Sequence, residues 1–148
     1  MPVLILLLSW NVLSVQEESG VILDITGQYH FLSADDTLGL LEEEGKLKGY
    51  VDVYQGEEES DAVLEYQVLQ GTRKKEKVEF RTNRIHQKYF RFSGEVQRGA
   101  GHEETDLDYL RLIGDLEIVT VKADTGEEVV QRMHVVFKSL GKNERAEQ

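Results

Sequence analysis

The stretch Val78–Val96, VEFRTNRIHQKYFRFSGEV, decides the fold. Val78, Phe80 and Thr82, then Phe90, Phe92, Gly94 and Val96, fall on one face of an extended chain. Glu79, Arg81, Tyr89, Arg91 and Glu95 fall on the other. Successive side chains of a strand point to opposite faces, so this alternation describes two antiparallel strands with one face in a core and one in water. The polar residues between them form the turn.

Working outward, the same grammar repeats. Val21–Leu32 reads as a first strand, with Leu23, Ile25, Gly27, Tyr29 and Phe31 alike in facing. SADD (33–36) is a turn. Thr37–Glu43 is a second strand, or a helical turn if the helix formers of LGLLEEE prevail. After Glu44-Gly45, Lys46–Tyr54 is a third strand; QGEEES (55–60) is an acidic loop and Asp61–Gln70 a fourth strand. GTRKK (71–75) is a turn into the fifth and sixth strands, which are the opening stretch. Arg98–Asp106 is the longest loop, Leu107–Lys122 a seventh strand, ADTG (123–126) a hairpin turn, and Glu127–Lys138 an eighth strand. Short links between successive strands make a meander. The expected fold is all-β: an eight-stranded antiparallel up-and-down β-barrel over residues 20–140. An apolar segment (1–19) precedes it and a polar tail (141–148) follows it.

Closure rests on glycine. Gly27, Gly49, Gly94 and Gly114 each sit on the apolar face between large neighbours, in ITGQY, LKGYV, FSGEV and LIGDL. Glycine weakens a strand interior, so its repetition calls for sharp curvature, and a closed barrel supplies that and removes exposed edges. A flat sandwich is the competing architecture, but its crossing connections are longer.

Ile25-Thr-Gly27-Gln-Tyr29, followed by Lys46-Leu-Lys-Gly49-Tyr50, resembles the opening strands of up-and-down barrels of the lipocalin and avidin type. The resemblance implies a barrel with a mouth for a small apolar or amphipathic ligand. It does not imply biotin: Tyr29 stands where both families commonly have Trp, and the single Trp, Trp10, lies outside the barrel. The chain has no Cys, so lipocalin disulfides have no counterpart.

The absence of Cys also removes thiolate metal sites and a Cys nucleophile. A net charge of −11 argues against nucleic acid as a partner. Val3–Leu8, VLILLL, is too short to span a bilayer, which takes about 20 residues. It is similar to the centre of a secretory signal, with a cleavage zone near Ser14–Gln16. No Lys or Arg precedes the run, so the export reading treats residues 1–16 as a truncated signal. The other reading docks them on the barrel in a cytoplasmic protein. Mass spectrometry separates the two, because an exported chain begins after that zone and a retained one at Met1 or Pro2.

His30 and His134 alternate against the apolar sets and belong on the surface; His86 begins the sixth strand beside Arg84. His102, Glu103, Glu104, Asp106 and Asp108 are of types that hold hard or borderline cations, but their spacing matches no zinc-protease or calcium-loop pattern, and a solvated acidic loop is the expectation. No G-x-S-x-G and no phosphate-binding loop occurs, so nothing points to an enzyme or a cofactor.

Two functional readings follow. In the first, the barrel carries a small apolar ligand among Tyr29, Phe31, Tyr66, Phe80, Thr82, Phe90, Phe92 and Met133. In the second, side chains fill the barrel and it works through its surface. Thr72–Arg98 holds nine basic and three acidic residues in an otherwise acidic chain. Arg81, Arg84, Lys88 and Arg91 are its candidate patch for an anion or acidic partner. Against that patch stands cross-strand pairing of Arg81 and Arg91 with Glu79 and Glu95.

Overall fold

The computed structural model describes residues 21–55 and 63–141. The expectations for the N-terminal segment, most of the QGEEES loop and the tail after Gly141 lie outside the described residues. Those residues form eight strands and no helix: β1 (Gly27–His30), β2 (Thr37–Glu43), β3 (Lys46–Tyr54), β4 (Val63–Lys74), β5 (Lys77–Thr82), β6 (Lys88–Arg98), β7 (Leu110–Val121) and β8 (Glu128–Lys138). They pair antiparallel in sequence order within one sheet. The meander is as expected, and Thr37–Glu43 is a strand, not a helical turn.

The closed barrel is not. β1 and β8 share no ladder; the sheet is a strongly curled half-barrel. Among the described residues its backbone ends touch through one bridge, Tyr29 to Ser139, in which the Leu140 N–H donates to the Gln28 carbonyl at 2.8 Å. The physical reason is the brevity of β1. Val21–Leu32 was expected to be extended throughout, yet the ladder to β2 starts only at Gly27↔Leu40. Before it, side chains replace rungs. Glu42 Oε1 accepts the Ile25 N–H at 3.1 Å, and Thr26 Oγ1 accepts the Glu42 N–H at 2.9 Å. Arg73 Nε donates to Glu42 Oε2 at 2.6 Å and its Nη2 to the Leu23 carbonyl at 3.0 Å. Ile25 is fully buried by this clamp, whereas Leu23, expected inside, is 85% exposed.

The opening hairpin is as read. Val78, Phe80, Thr82, Phe90, Phe92 and Val96 are all buried. Ile85 bridges Lys88 around His86 and Gln87, both at positive φ, which is the type I′ geometry that matches strand twist. His86 is therefore a turn residue, not the start of a strand.

GTRKK is not a turn. β4 runs through it, because Gln70 (φ 51°) carries a β-bulge that shifts register against both β3 and β5. The buried positions of β4 run Tyr66, Val68, then Gly71, so the extra residue flips the alternation. The seventh strand likewise starts at Leu110, three residues later than expected.

Glycine does permit the curl. Gly94 faces Gly114 across β6–β7. A Cβ on Gly94 would collide with the Ile113 carbonyl oxygen, and one on Gly114 with that of Ser93. Gly49 (φ 150°) lets β3 approach the Gly39 carbonyl. Gly27 (φ 154°) has no such neighbour. Ala at Gly27 therefore tests backbone conformation alone, while Ala at Gly49 adds a backbone collision. We expect Gly49→Ala to cost about 2 kcal/mol more than Gly27→Ala in urea unfolding, the scale of an overpacked interior. Equal costs remove the close-approach account of the curl.

Candidate functional site

The concave face is occupied by rings. Tyr66, Phe90, Phe31, Phe137, Phe92 and Phe80 touch in that order, with centroids 5.0, 5.1, 4.9, 5.4 and 5.3 Å apart. Every Phe of the chain lies in this line. Tyr29, Phe31, Tyr66, Phe80, Phe90 and Phe92 are all buried, and Met133 is half-buried at the rim. The inward polar groups serve the backbone. The Tyr29 hydroxyl donates to the Ile25 carbonyl at 2.6 Å. Thr82 Oγ1 accepts the Phe90 N–H at 3.0 Å and donates to the Asn83 carbonyl at 2.9 Å. Burial, with Asp24 and Glu42 nearby, pushes the Tyr29 phenol up, and burial alone raises that of Tyr66, so both stay protonated.

The basic residues of 72–98 do not form one patch. Arg73 is spent on Glu42, and Arg98 lies over the Tyr109 ring at 4.6 Å. Lys88 shares the inward parity of Phe90 and sits 5.7 Å over its ring. Arg84 is exposed in the turn. Of the four candidates, only Arg81 and Arg91 come together.

They do so directly opposite each other across β5–β6. The expected pairing with Glu79 and Glu95 does not occur, because the register sets Glu95 against Lys77 and Glu79 against Ser93. Continuing the same row over the convex face, Arg91 faces Glu117 and Glu117 faces Arg132. Glu117 reaches Arg91 at 3.0 Å and Arg132 at 3.6 Å. In the next row Glu79 pairs with Lys77 at 3.3 Å, and His134 lies 3.4 Å from Asp115. The Arg81 side chain makes no hydrogen bond or ion pair among the described residues. A depression of about 460 Å³ opens over this surface, lined by Glu79, Arg81, Arg91, Ser93, Glu117 and Arg132 among others. Sequence reading missed Glu117 and Arg132. Both lie on outward positions of alternating strands, but only the register of β6, β7 and β8 brings them to Arg91.

The acidic loop is self-satisfied. Asp106 Oδ2 accepts the His102 and Glu103 N–H groups, each at 2.9 Å, and Asp108 takes Arg111 Nε at 2.8 Å. The Glu103 and His102 amides hold Asp106 low, and Arg111 does the same for Asp108. No set of three metal-ligating side chains gathers among the described residues.

No protein-family model and no curated protein matches this chain. The structure shows an arrangement of eight antiparallel strands in a curled up-and-down sheet.

The hydrogen bond from Arg91 holds the Glu117 carboxyl below the usual glutamate range. The folded chain thus binds this proton more weakly than the unfolded one. The stabilisation is complete at neutral pH and is lost as pH falls through the ordinary glutamate value, about 4.3, towards the lower folded one. We expect Glu117→Gln to be less stable than the parent at pH 7 and to show a shallower acid loss of melting temperature. Parallel pH profiles for the two proteins would contradict this.

Proposed function

We propose that the protein is a binding module that works through its convex face, taking an oxyanion, carboxylate or phosphate, presented by a partner into the depression beside Arg81 and Arg91. The observation that supports this reading is the Arg81–Arg91 pair. Like charges directly opposite across a ladder are destabilising. Here the nearby carboxylates already have cations of their own. A guanidinium held this way offers a planar fork of donors suited to carboxylate or phosphate. The chain's net charge of −11 opposes non-specific capture of anions, so recognition depends on this local geometry.

The unbroken line of rings favours the surface reading over the carrier reading. An apolar ligand among Tyr29, Phe31, Tyr66, Phe80, Thr82, Phe90, Phe92 and Met133 requires those rings to part. The convex depression needs no rearrangement.

Titration with inorganic phosphate, followed by backbone amide shifts, tests the proposal. We expect saturable shifts centred on Arg81, Arg91 and Ser93. Loss of one charge-assisted hydrogen bond is worth about 1.5–3 kcal/mol, so Arg81→Ala should weaken binding roughly ten- to a hundredfold. Arg84→Ala should leave it unchanged. If both variants titrate alike, the depression is not the site.

A further inference from the structure

β8 is an edge strand without the usual protections. Its ladder with β7 runs without a bulge from Arg111↔Lys138 to Val121↔Glu128. The only Pro of the chain is Pro2. The direction of its peptide groups follows from its ends. The Ser139 N–H donates to the Leu110 carbonyl and the Lys122 N–H to that of Glu127, so odd-numbered residues of β8 face β7. Leu140 donates the other way, to Gln28, so even-numbered residues face outward. The peptide groups of Glu128, Val130, Arg132, His134 and Val136 therefore point to an edge that no strand covers among the described residues. Val129, Val130 and Val136 are 49, 45 and 44% exposed there. The charges that would guard such an edge are drawn back over β7, Arg132 towards Glu117 and His134 towards Asp115. A long, unbulged, valine-rich edge of this kind is a template for another strand.

We propose that the occupant is a second copy of this chain, its β8 antiparallel to this one, with Gln131 on the twofold axis. The residue order of β8 carries the choice of partner and register. About Gln131, each Glu128 faces the His134 of the other copy, each Val129 faces Met133 on the concave side, and Val130 faces the aliphatic stem of Arg132. Moving the axis to Arg132 sets two guanidiniums against each other. Moving it to Met133 demands a rung at Lys138, where β1 already lies against the Tyr29–Ser139 bridge. The contact is isologous, so it closes as a dimer and does not propagate.

Sedimentation over the micromolar to millimolar range should show a monomer–dimer equilibrium. Val130→Pro removes an outward N–H without touching the β7 ladder, and should raise the dimer dissociation constant at least tenfold while leaving the unfolding midpoint nearly unchanged. Because the chain has no Cys, Gln131→Cys gives a single thiol. In the wide pair on the axis the two Cα atoms lie about 4.5 Å apart, within disulfide range. This variant should cross-link under mild oxidation at least ten times faster than Asp124→Cys in the turn. Amides of Val130, Arg132 and His134 should gain exchange protection as concentration rises. A monomer at every concentration overturns the proposal, as do a dimer unaffected by Val130→Pro and equal cross-linking rates. Protection independent of concentration also overturns it, because the edge is then covered within one chain.

Discussion

A lone sheet has two faces and, without a second layer, only itself to bury one of them against. That constraint governs this molecule. The described residues supply no helix and no second sheet, so the apolar face is covered only if the sheet bends until its own rings meet. Two devices bend it: backbones brought together where Cβ atoms are missing, at Gly94–Gly114 and Gly49, and an extra residue at Gln70. Phe31 and Phe137, from the first loop and the last strand, stack at 4.9 Å as a result. Aromatic packing of this kind adds about 0.5–1.5 kcal/mol per pair beyond burial, and here it joins the two ends of the sheet where backbone bonds are few.

The convex face inherits its chemistry from the same ladder. Once Phe80 is set against Phe92 on the inside, Arg81 has to stand against Arg91 on the outside. Neither can move to another partner without slipping the strand by two residues and unstacking the rings. The concentration of positive charge is thus tied to the core through register, and Glu117 offsets it from the β7 side only.

Much of this is legible in the residues alone, for a simple reason: alternation of period two reports facing wherever the strand is regular. It identifies the buried positions of β5 and β6 without error, the outward placement of His30 and His134, and the meander. It fails where regularity does. The bulge at Gln70 turns GTRKK from a turn into strand, and nothing in the local composition announces it. Val21–Leu23 has the alternation of a strand, yet Leu23 stands exposed, because this stretch is held by the Arg73 and Glu42 side chains, fifty and nineteen residues from Leu23, a contact that no local pattern contains. The candidate patch fails partly for a reason visible beforehand. Lys88 shares the parity of Phe90, so it belongs to the opposite face from Arg91. Partners of Arg91 were out of reach because they depend on how far β7 and β8 are displaced along β6.

The neighbour of each strand in space is also its neighbour in the chain. Each hairpin can therefore zip up after closing only a short loop, and long-range pairing, the slow step of most all-β architectures, is confined to one place. That place is the seam between Tyr29 and Ser139, which spans most of the domain but, among the described residues, holds only one bridge, with the Leu140 N–H on the Gln28 carbonyl as one of its bonds. Assembly can thus begin at any turn, and the contact between the two ends of the sheet carries the largest loop-closure cost.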